Sequence, residues 1–445
     1  MSGWLAAALL GLALALGGGG SPAPVPELAL ELLAVLILLA WLMAPATREQ
    51  WRMVPRPAWL IGALTLSLPL LQLVPLPPAL WQALPGRGLQ REALALVDLE
   101  HSWRPVSLAP QRTLAALLSL LPPLAMLTMT ATLDRAARLR LVMVVLAIGV
   151  ISLLLGALQL TGGERSWAHL YDDLQPVLTG FQANRNSAAD FLLIALPTVP
   201  LVVRLLVERR LIPDSRMLVL GLAGGGMAVF ALGTILTSSR TGIVLLPVPL
   251  AAGLWLVRGW LPLRPRHILA ALALVPVAAG LGLLAARSNP ILAAVLDRFD
   301  FSHELRPQLW RDAAFVVRQH FPAGVGMGNF VPALLADERL EVVRPFLPNR
   351  AQNDYLELAA EAGLAGIAAL TAAGWLVLRE ARRAWRDPAR SSAGLVLFAG
   401  AGLAVMALHS LVDYPFRSIS LACLGAACAG LLMTPRGAPD PGVVE

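Results

Sequence analysis

The sequence predicts an all-α polytopic membrane protein of about 12 transmembrane helices, with one large exterior loop containing an amphipathic helix. Three observations carry that reading. The 445-residue chain is 57% hydrophobic and 14% charged. Its apolar residues form blocks of roughly 17–25 residues, the length a helix needs to cross a bilayer. Its arginines collect in alternate short loops between those blocks, which is how cytoplasmic loops are marked.

Taken in order, the blocks lie near 3–17, 27–45, 58–76, 110–131, 139–160, 186–206, 216–236, 241–258, 267–286, 355–377, 393–412 and 416–433. The first, within "MSGWLAAALLGLALALGGGG", has no basic segment before it and a second apolar block soon after it, so it reads as a span and not as a cleaved signal. With the N-terminus inside, the interior loops carry Arg48, Arg52 and Arg56; Arg135, Arg138 and Arg140; Arg204, Arg209, Arg210 and Arg216; Arg258, Arg264 and Arg266; and Arg379, Arg382, Arg383, Arg386 and Arg390. Both termini are therefore expected in the cytoplasm. Residues 1–445 form a single membrane domain in this reading, with exterior segments at 77–109, 161–185 and 287–354 and a frayed Pro- and Gly-rich tail at 434–445. In the longest of these, Leu305, Leu309, Ala313 and Val316 or Val317 recur at helical spacing, which predicts an amphipathic helix lying as a lid at the interface.

The net charge of +7 comes entirely from arginine, all 35 basic residues being Arg. Because these fall in short loops, they argue for membrane topology and against nucleic-acid binding. Cys423 and Cys428 both sit in the last apolar block, where they read as packing residues.

Function is expected at the exterior ends of the spans. Arg185 opens a helix in "FQANRNSAADFLL", ahead of Asp190, and Arg240 occupies the short turn of "LTSSRTGIVLL". Ionisable groups beside hydrocarbon are costly and mark sites, although arginines that merely snorkel to headgroups are the plain alternative. Asn184 and Asn186 flank one and Thr237, Ser238 and Ser239 precede the other, so guanidinium forks and helix-start amides together would cradle a diphosphate. "GVGMGNF" at 324–330 lacks the strand, Lys and Ser/Thr of a nucleotide loop, so Gly324, Gly326 and Gly328 are expected to turn the backbone sharply after Pro322. His409 and Asp413 stand one helical turn apart and read either as a catalytic pair or as a structural pair closing a helix. His303 and His320 show no metal-ligand spacing, and no metal or other cofactor is assigned.

Five stretches in order, "ANRNSAADFL", "SSRTG", "LRPQLWRDAAFVVRQHFPAGVGMGNF", "NRAQNDYLELAAEAGLAG" and "HSLVDYPFR", resemble the O-antigen ligase and polymerase superfamily of bacterial membrane glycosyltransferases over about residues 180–417. The resemblance implies a twelve-span inner-membrane protein with a large periplasmic loop. Its members move glycan from an undecaprenyl diphosphate carrier to an acceptor such as lipid A core, a growing polysaccharide or protein. It implies that Arg185 and Arg240 engage the lipid diphosphate, with Arg311 and Arg350 as helpers. It also places Gln352 where the family's "HND" type motif has histidine, followed here by Asn353 and Asp354. A neutral amide can orient a hydroxyl but cannot take its proton, which leaves Asp354, Glu357 and Asp413 as candidate bases. Partners implied are the lipid-linked glycan, the acceptor, membrane lipids and envelope polysaccharide-assembly proteins. The alternatives are a non-catalytic scaffold of envelope assembly and, more remotely, a polysaccharide or lipid transporter. The shape, elongation and division polymerases share the setting, but their ordered motifs are not found.

Overall fold

In the computed structural model the described residues are 2–19, 24–162, 168–171, 177–261, 305–337, 349–387 and 392–435. They are almost wholly helical, apart from a two-stranded antiparallel ribbon pairing Pro75 with Pro105 and Leu76 with Arg104, which joins the start of the 77–109 segment to its later part. Among the described residues, six helices are long and apolar enough to cross a membrane: Val25–Met43, Pro110–Ala131, Arg135–Gly162, Arg185–Glu208, Arg216–Leu236 and Asp354–Arg386. Shorter apolar helices are Ser2–Leu16, Arg240–Leu256, Ala393–His409 and Ile419–Leu431. The block expected at 58–76 is the Arg56–Leu73 helix. The block at 267–286, His303, and residues 287–304 and 338–348 of the long exterior segment lie outside the described residues, as does the tail from 436.

Several expected single spans are broken, and proline explains three of the breaks. Arg185–Ala195 and Thr198–Glu208 meet at Leu196–Pro197, and Arg240–Leu245 and Pro247–Leu256 meet at Leu246. Pro110–Ser119 and Leu121–Ala131 meet ahead of Pro122 and Pro123. Proline removes a donor and clashes with the preceding turn, so the helix restarts, and packed neighbours tolerate the interruption.

The core is one apolar body in which Ser2–Leu16, Leu121–Ala131, Arg135–Gly162 and Ile419–Leu431 pack together, burying Leu9, Leu10, Leu14, Met126, Met129 and Leu141. Arginine marks one end of it. Arg140 stacks over Trp4 at 4.8 Å and Arg135 lies 4.0 Å from Glu208. Arg138, expected in a loop, is buried there, and its guanidinium donates to carbonyls at the end of the Ile419–Leu431 helix, Leu431 at 2.9 Å and, two residues beyond, Met433 at 2.7 Å. A cation at a helix C-terminus meets the negative end of the helix dipole.

At the other end, the close of the first helix meets the loops that hold the site. Ser420 N–H donates to Gly17 O at 3.1 Å and Ala183 N–H to Gly18 O at 2.9 Å. The Arg306–His320 helix packs over the first turns of Asp354–Arg386, with Ala313 and Val316 fully buried and Leu309 and Val317 at the margin. Leu305 departs from the expected apolar stripe: it caps the helix and is 47% exposed. His320 closes the same helix and shares a 2.9 Å hydrogen bond with Asp337.

Candidate functional site

The site is assembled by two features of the sequence, glycines that let backbone approach backbone and helix starts capped by small polar residues. Gly324, Gly326 and Gly328 all take left-handed φ (79°, 97° and 80°). This loop docks into a break in the Asp354–Arg386 helix, where Gly363 has φ 54° and ψ −140°. The break frees carbonyls and an N–H that the loop then satisfies: Val325 N–H donates to Ala360 O at 3.0 Å, Gly326 N–H to Glu361 O at 2.9 Å, and Leu364 N–H to Pro322 O at 3.0 Å. A Cβ at Gly324 would lie 2.5 Å from Glu361 O, so only glycine fits. Gln72, near the end of Arg56–Leu73, completes the joint, donating from Nε2 to Glu361 O and accepting from Met327 N–H. Beyond Gly363 the helix turns Leu364, Leu370, Trp375 and Leu378 outward, whereas before it the face is acidic and buried.

That acidic face is Asp354, Glu357 and Glu361, at i, i+3 and i+7. Arg417 reaches all three: Nε is 3.7 Å from Asp354 and 3.5 Å from Glu357, and a terminal nitrogen is 2.8 Å from Glu361. Arg350 pairs with Glu357 at 3.0 Å. Other protein groups donate to these carboxylates as well. Glu357 accepts from Ala351 N–H, Glu361 from Gly328 N–H and Phe330 N–H, and Asp354 from Ser410 Oγ at 2.9 Å and Phe416 N–H at 3.2 Å. Buried carboxylates held this way are paired and hydrogen-bonded, as burial demands.

A second polar cluster lies alongside. Asn184 caps the helix that Arg185 begins, its side chain accepting from Asn186 N–H; Ser239 caps the helix that Arg240 begins, accepting from Gly242 N–H. Ser239 Oγ donates to Asn186 Oδ1 at 2.8 Å, so the two arginine-bearing helix starts are bonded to each other. Asn186 also bonds to Asp413, and Asn184 donates to Tyr414 Oη at 3.2 Å. Tyr414 in turn bonds Asn349. Asp354 N–H donates to the carbonyls of Ser410 and Asp413, at 3.1 and 3.2 Å. The four sequence stretches 184–190, 239–242, 349–354 and 409–417 thus meet in one network.

The expected pairing of His409 with Asp413 is replaced by a different one. His409 Nδ1 shares a 2.6 Å hydrogen bond with Asp190 Oδ1, both side chains fully buried. Asp413 stands beside this pair at 1% exposure, and burial pushes its carboxyl up to about 6. Among the described residues, His409 Nε2, Asp190 Oδ2 and Asp413 Oδ1 are buried with no hydrogen-bond partner. Arg306, at the start of the amphipathic helix, acts on both His409 and Asp413 through its charge.

Gln352 has a left-handed backbone, φ 53°, and its carbonyl accepts from Trp310 Nε1 at 3.1 Å. Asn353 caps the following helix, its side chain accepting from Leu356 N–H and donating to Leu411 O at 2.8 Å. Arg185, Arg240 and Gln352 are half-buried. Arg311 lies elsewhere on the amphipathic helix, exposed, lining a cleft with Asp312, Phe315, Arg318 and Leu356. Sequence reasoning did not assign Arg417, Glu361, Tyr414 or Arg306. A signal for the first was present: three carboxylates on one helix face require basic partners, and Arg417 sits at the start of an apolar block, as Arg185 and Arg240 do.

Fold and site together define an all-α polytopic membrane protein with a polar network at one end of its helices. Residues 225–371 match the Wzy_C family model, described as O-antigen ligase. The matched stretch contains Arg240, Arg311, Arg350, Gln352 and Asp354, and leaves Arg185, His409 and Asp413 outside. Such domains belong to membrane glycosyltransferase-like ligases and polymerases, whose substrates are lipid-linked glycans. No curated protein matches the chain.

Proposed function

We propose that this protein transfers glycan from an undecaprenyl diphosphate carrier to an acceptor hydroxyl, at the periplasmic face of the bacterial inner membrane. In this reading it is a single domain of twelve spans with both termini cytoplasmic. The observation that carries the proposal is the Ser239–Asn186 hydrogen bond, which holds the starts of two helices, each bearing an arginine, side by side. Two guanidinium forks and two sets of helix-start amides are a cradle for a diphosphate.

The acceptor oxygen attacks the anomeric carbon, the bond from that carbon to the phosphate oxygen breaks, and undecaprenyl diphosphate leaves as an anion. Arg185 and Arg240 hold that developing charge, the largest single contribution in reactions of this kind. Gln352 and Asn353 align the hydroxyl. Of the candidate bases, Asp354 and Glu357 already accept from several protein donors, whereas Asp413 retains an oxygen without a partner. Asp413 is therefore the group to which the hydroxyl proton passes, with His409 and Asp190 beside it to share the charge. Arg350 and Arg417 are positioning residues for the 349–354 stretch.

The test is expression in a strain lacking its own ligase and polymerase but supplied with the native donor, followed by gel separation of surface glycans at matched membrane levels. Arg185→Ala and Arg240→Ala are expected to abolish the product bands, and Gln352→His to strengthen them by adding a second proton acceptor beside the hydroxyl. Unchanged bands in both arginine variants would put the non-catalytic scaffold ahead.

A further inference from the structure

The outer face of the Arg306–His320 helix bears a cleft that the donor chemistry does not use. Arg311 and Arg318 are two turns apart on this face, about 10 Å along the axis, and Phe315 lies between them. Both arginines are exposed, and neither has a hydrogen-bond or ion-pair partner among the described residues. The facing wall is Leu356, in the first turn of the helix that Asn353 caps. Next to Arg311 on its own helix, Trp310 is bonded to the Gln352 carbonyl. Leu356 stands three residues after Asn353, so one wall of the cleft belongs to the same helix start as the stretch proposed to align the acceptor.

We propose that this cleft is the acceptor subsite, and that it takes a sugar ring carrying a phosphate or carboxylate. The apolar CH face of the ring stacks on Phe315. Its anionic group is held by a guanidinium fork from Arg311 or Arg318, the donor geometry suited to phosphate and carboxylate. Asp312 accepts from ring hydroxyls, and Leu356 closes the apolar side. A subsite one ring away from Gln352 would deliver the neighbouring sugar's hydroxyl to the reaction. Arg311 would then serve the acceptor and not the diphosphate. The assignment rests on the transferase reading above, which supplies the reason for an acceptor to be there.

The experiment uses the full chain in phosphatidylcholine nanodiscs, titrated separately with mannose 6-phosphate, with mannose and with undecaprenyl diphosphate. Wild type is expected to prefer mannose 6-phosphate over mannose by tenfold or more. Arg311→Glu, Arg318→Glu and Phe315→Ala are expected to lose that preference while keeping undecaprenyl diphosphate binding, and Arg318→Lys to keep most of it. In transfer assays the glutamate variants should raise KM for the acceptor with little change in kcat. Equal binding of the two sugars, or variants that bind mannose 6-phosphate like wild type, would overturn the subsite. Loss of undecaprenyl diphosphate binding in Arg311→Glu would return Arg311 to the donor. Loss of mannose 6-phosphate binding when phosphatidylglycerol is added to the nanodiscs would overturn the subsite and make the cleft a headgroup site. If wild type bound mannose 6-phosphate through these residues but not undecaprenyl diphosphate, the transferase reading and the acceptor role would fall together, leaving an anionic-sugar site.

Discussion

Replacing Arg417 by leucine tests the claim that a buried charge network fixes the loop bearing Gln352. Arg417 is 15% exposed at its side chain and lies against Asp354, Glu357 and Glu361, the two glutamates having no exposure. Removing it leaves Arg350, paired with Glu357, as the remaining cation seen against the three carboxylates among the described residues. Breaking a buried pair by deleting one partner costs about 3–5 kcal/mol, because the remaining charge is left unpaired. The loss should be local as well as global, since Glu361 also accepts from Gly328 and Phe330 N–H and so links the cluster to the 322–328 loop. The assay is thermal unfolding of the detergent-solubilised chain together with amide exchange over 322–330 and 349–362. Arg417→Leu should lower the melting temperature and deprotect both stretches, and adding Glu361→Gln should recover part of the loss, with a coupling of about 1–3 kcal/mol. Arg417→Lys should fall between, retaining charge but not the fork. If Arg417→Leu melts like wild type and exchange in both stretches is unaltered, the network does not hold the site.

Three further outcomes follow from the same geometry. Asp413 binds its proton more tightly folded than unfolded, so native protein holds the extra proton between about pH 4 and 6, and stability falls as pH rises through that window, by on the order of 3 kcal/mol. Melting curves from pH 4 to 7 should show that fall in wild type and a flatter profile in Asp413→Asn. Gln352→Gly should relieve a left-handed backbone by about 1 kcal/mol and raise the melting temperature slightly while reducing glycan transfer, the opposite signs separating strain from function. Gly363→Ala would set a Cβ 2.0 Å from Pro322 O at a positive φ, and should reduce folded protein in membranes sharply, as seen by fluorescence-detected size exclusion.

The spans were legible because their signal is local: apolar blocks and arginine placement predicted the starts of the helices at Ser2, Arg56, Arg135, Arg216 and Asp354 to within a few residues, although the last runs on to Arg386 and takes in Arg379, Arg382, Arg383 and Arg386, which were expected in a loop. Breaks at Pro197, Pro247 and Pro122 were also written in the sequence, but continuous hydropathy masked them. The site divided along the same line. Arg185 and Arg240 stood out because charge beside hydrocarbon is anomalous one residue at a time. The partner of His409 did not, since Asp190 is 219 positions away and nothing local distinguishes it from Asp413 as a mate. Arg417 likewise answers to carboxylates 56 to 63 residues upstream, a pairing that only the packing of the final loop against the Asp354 helix start creates.

The central claim is that Arg185 and Arg240 hold the diphosphate of a lipid-linked glycan. Its most direct test is a single-turnover reaction of the purified chain in nanodiscs with the native undecaprenyl-diphosphate-linked glycan and acceptor, following release of undecaprenyl diphosphate by mass spectrometry. The account predicts release with wild type and a loss of about 100-fold or more in Arg185→Ala and in Arg240→Ala, the scale of deleting a preorganised charge-stabilising donor. Release at the wild-type rate in either variant would contradict it.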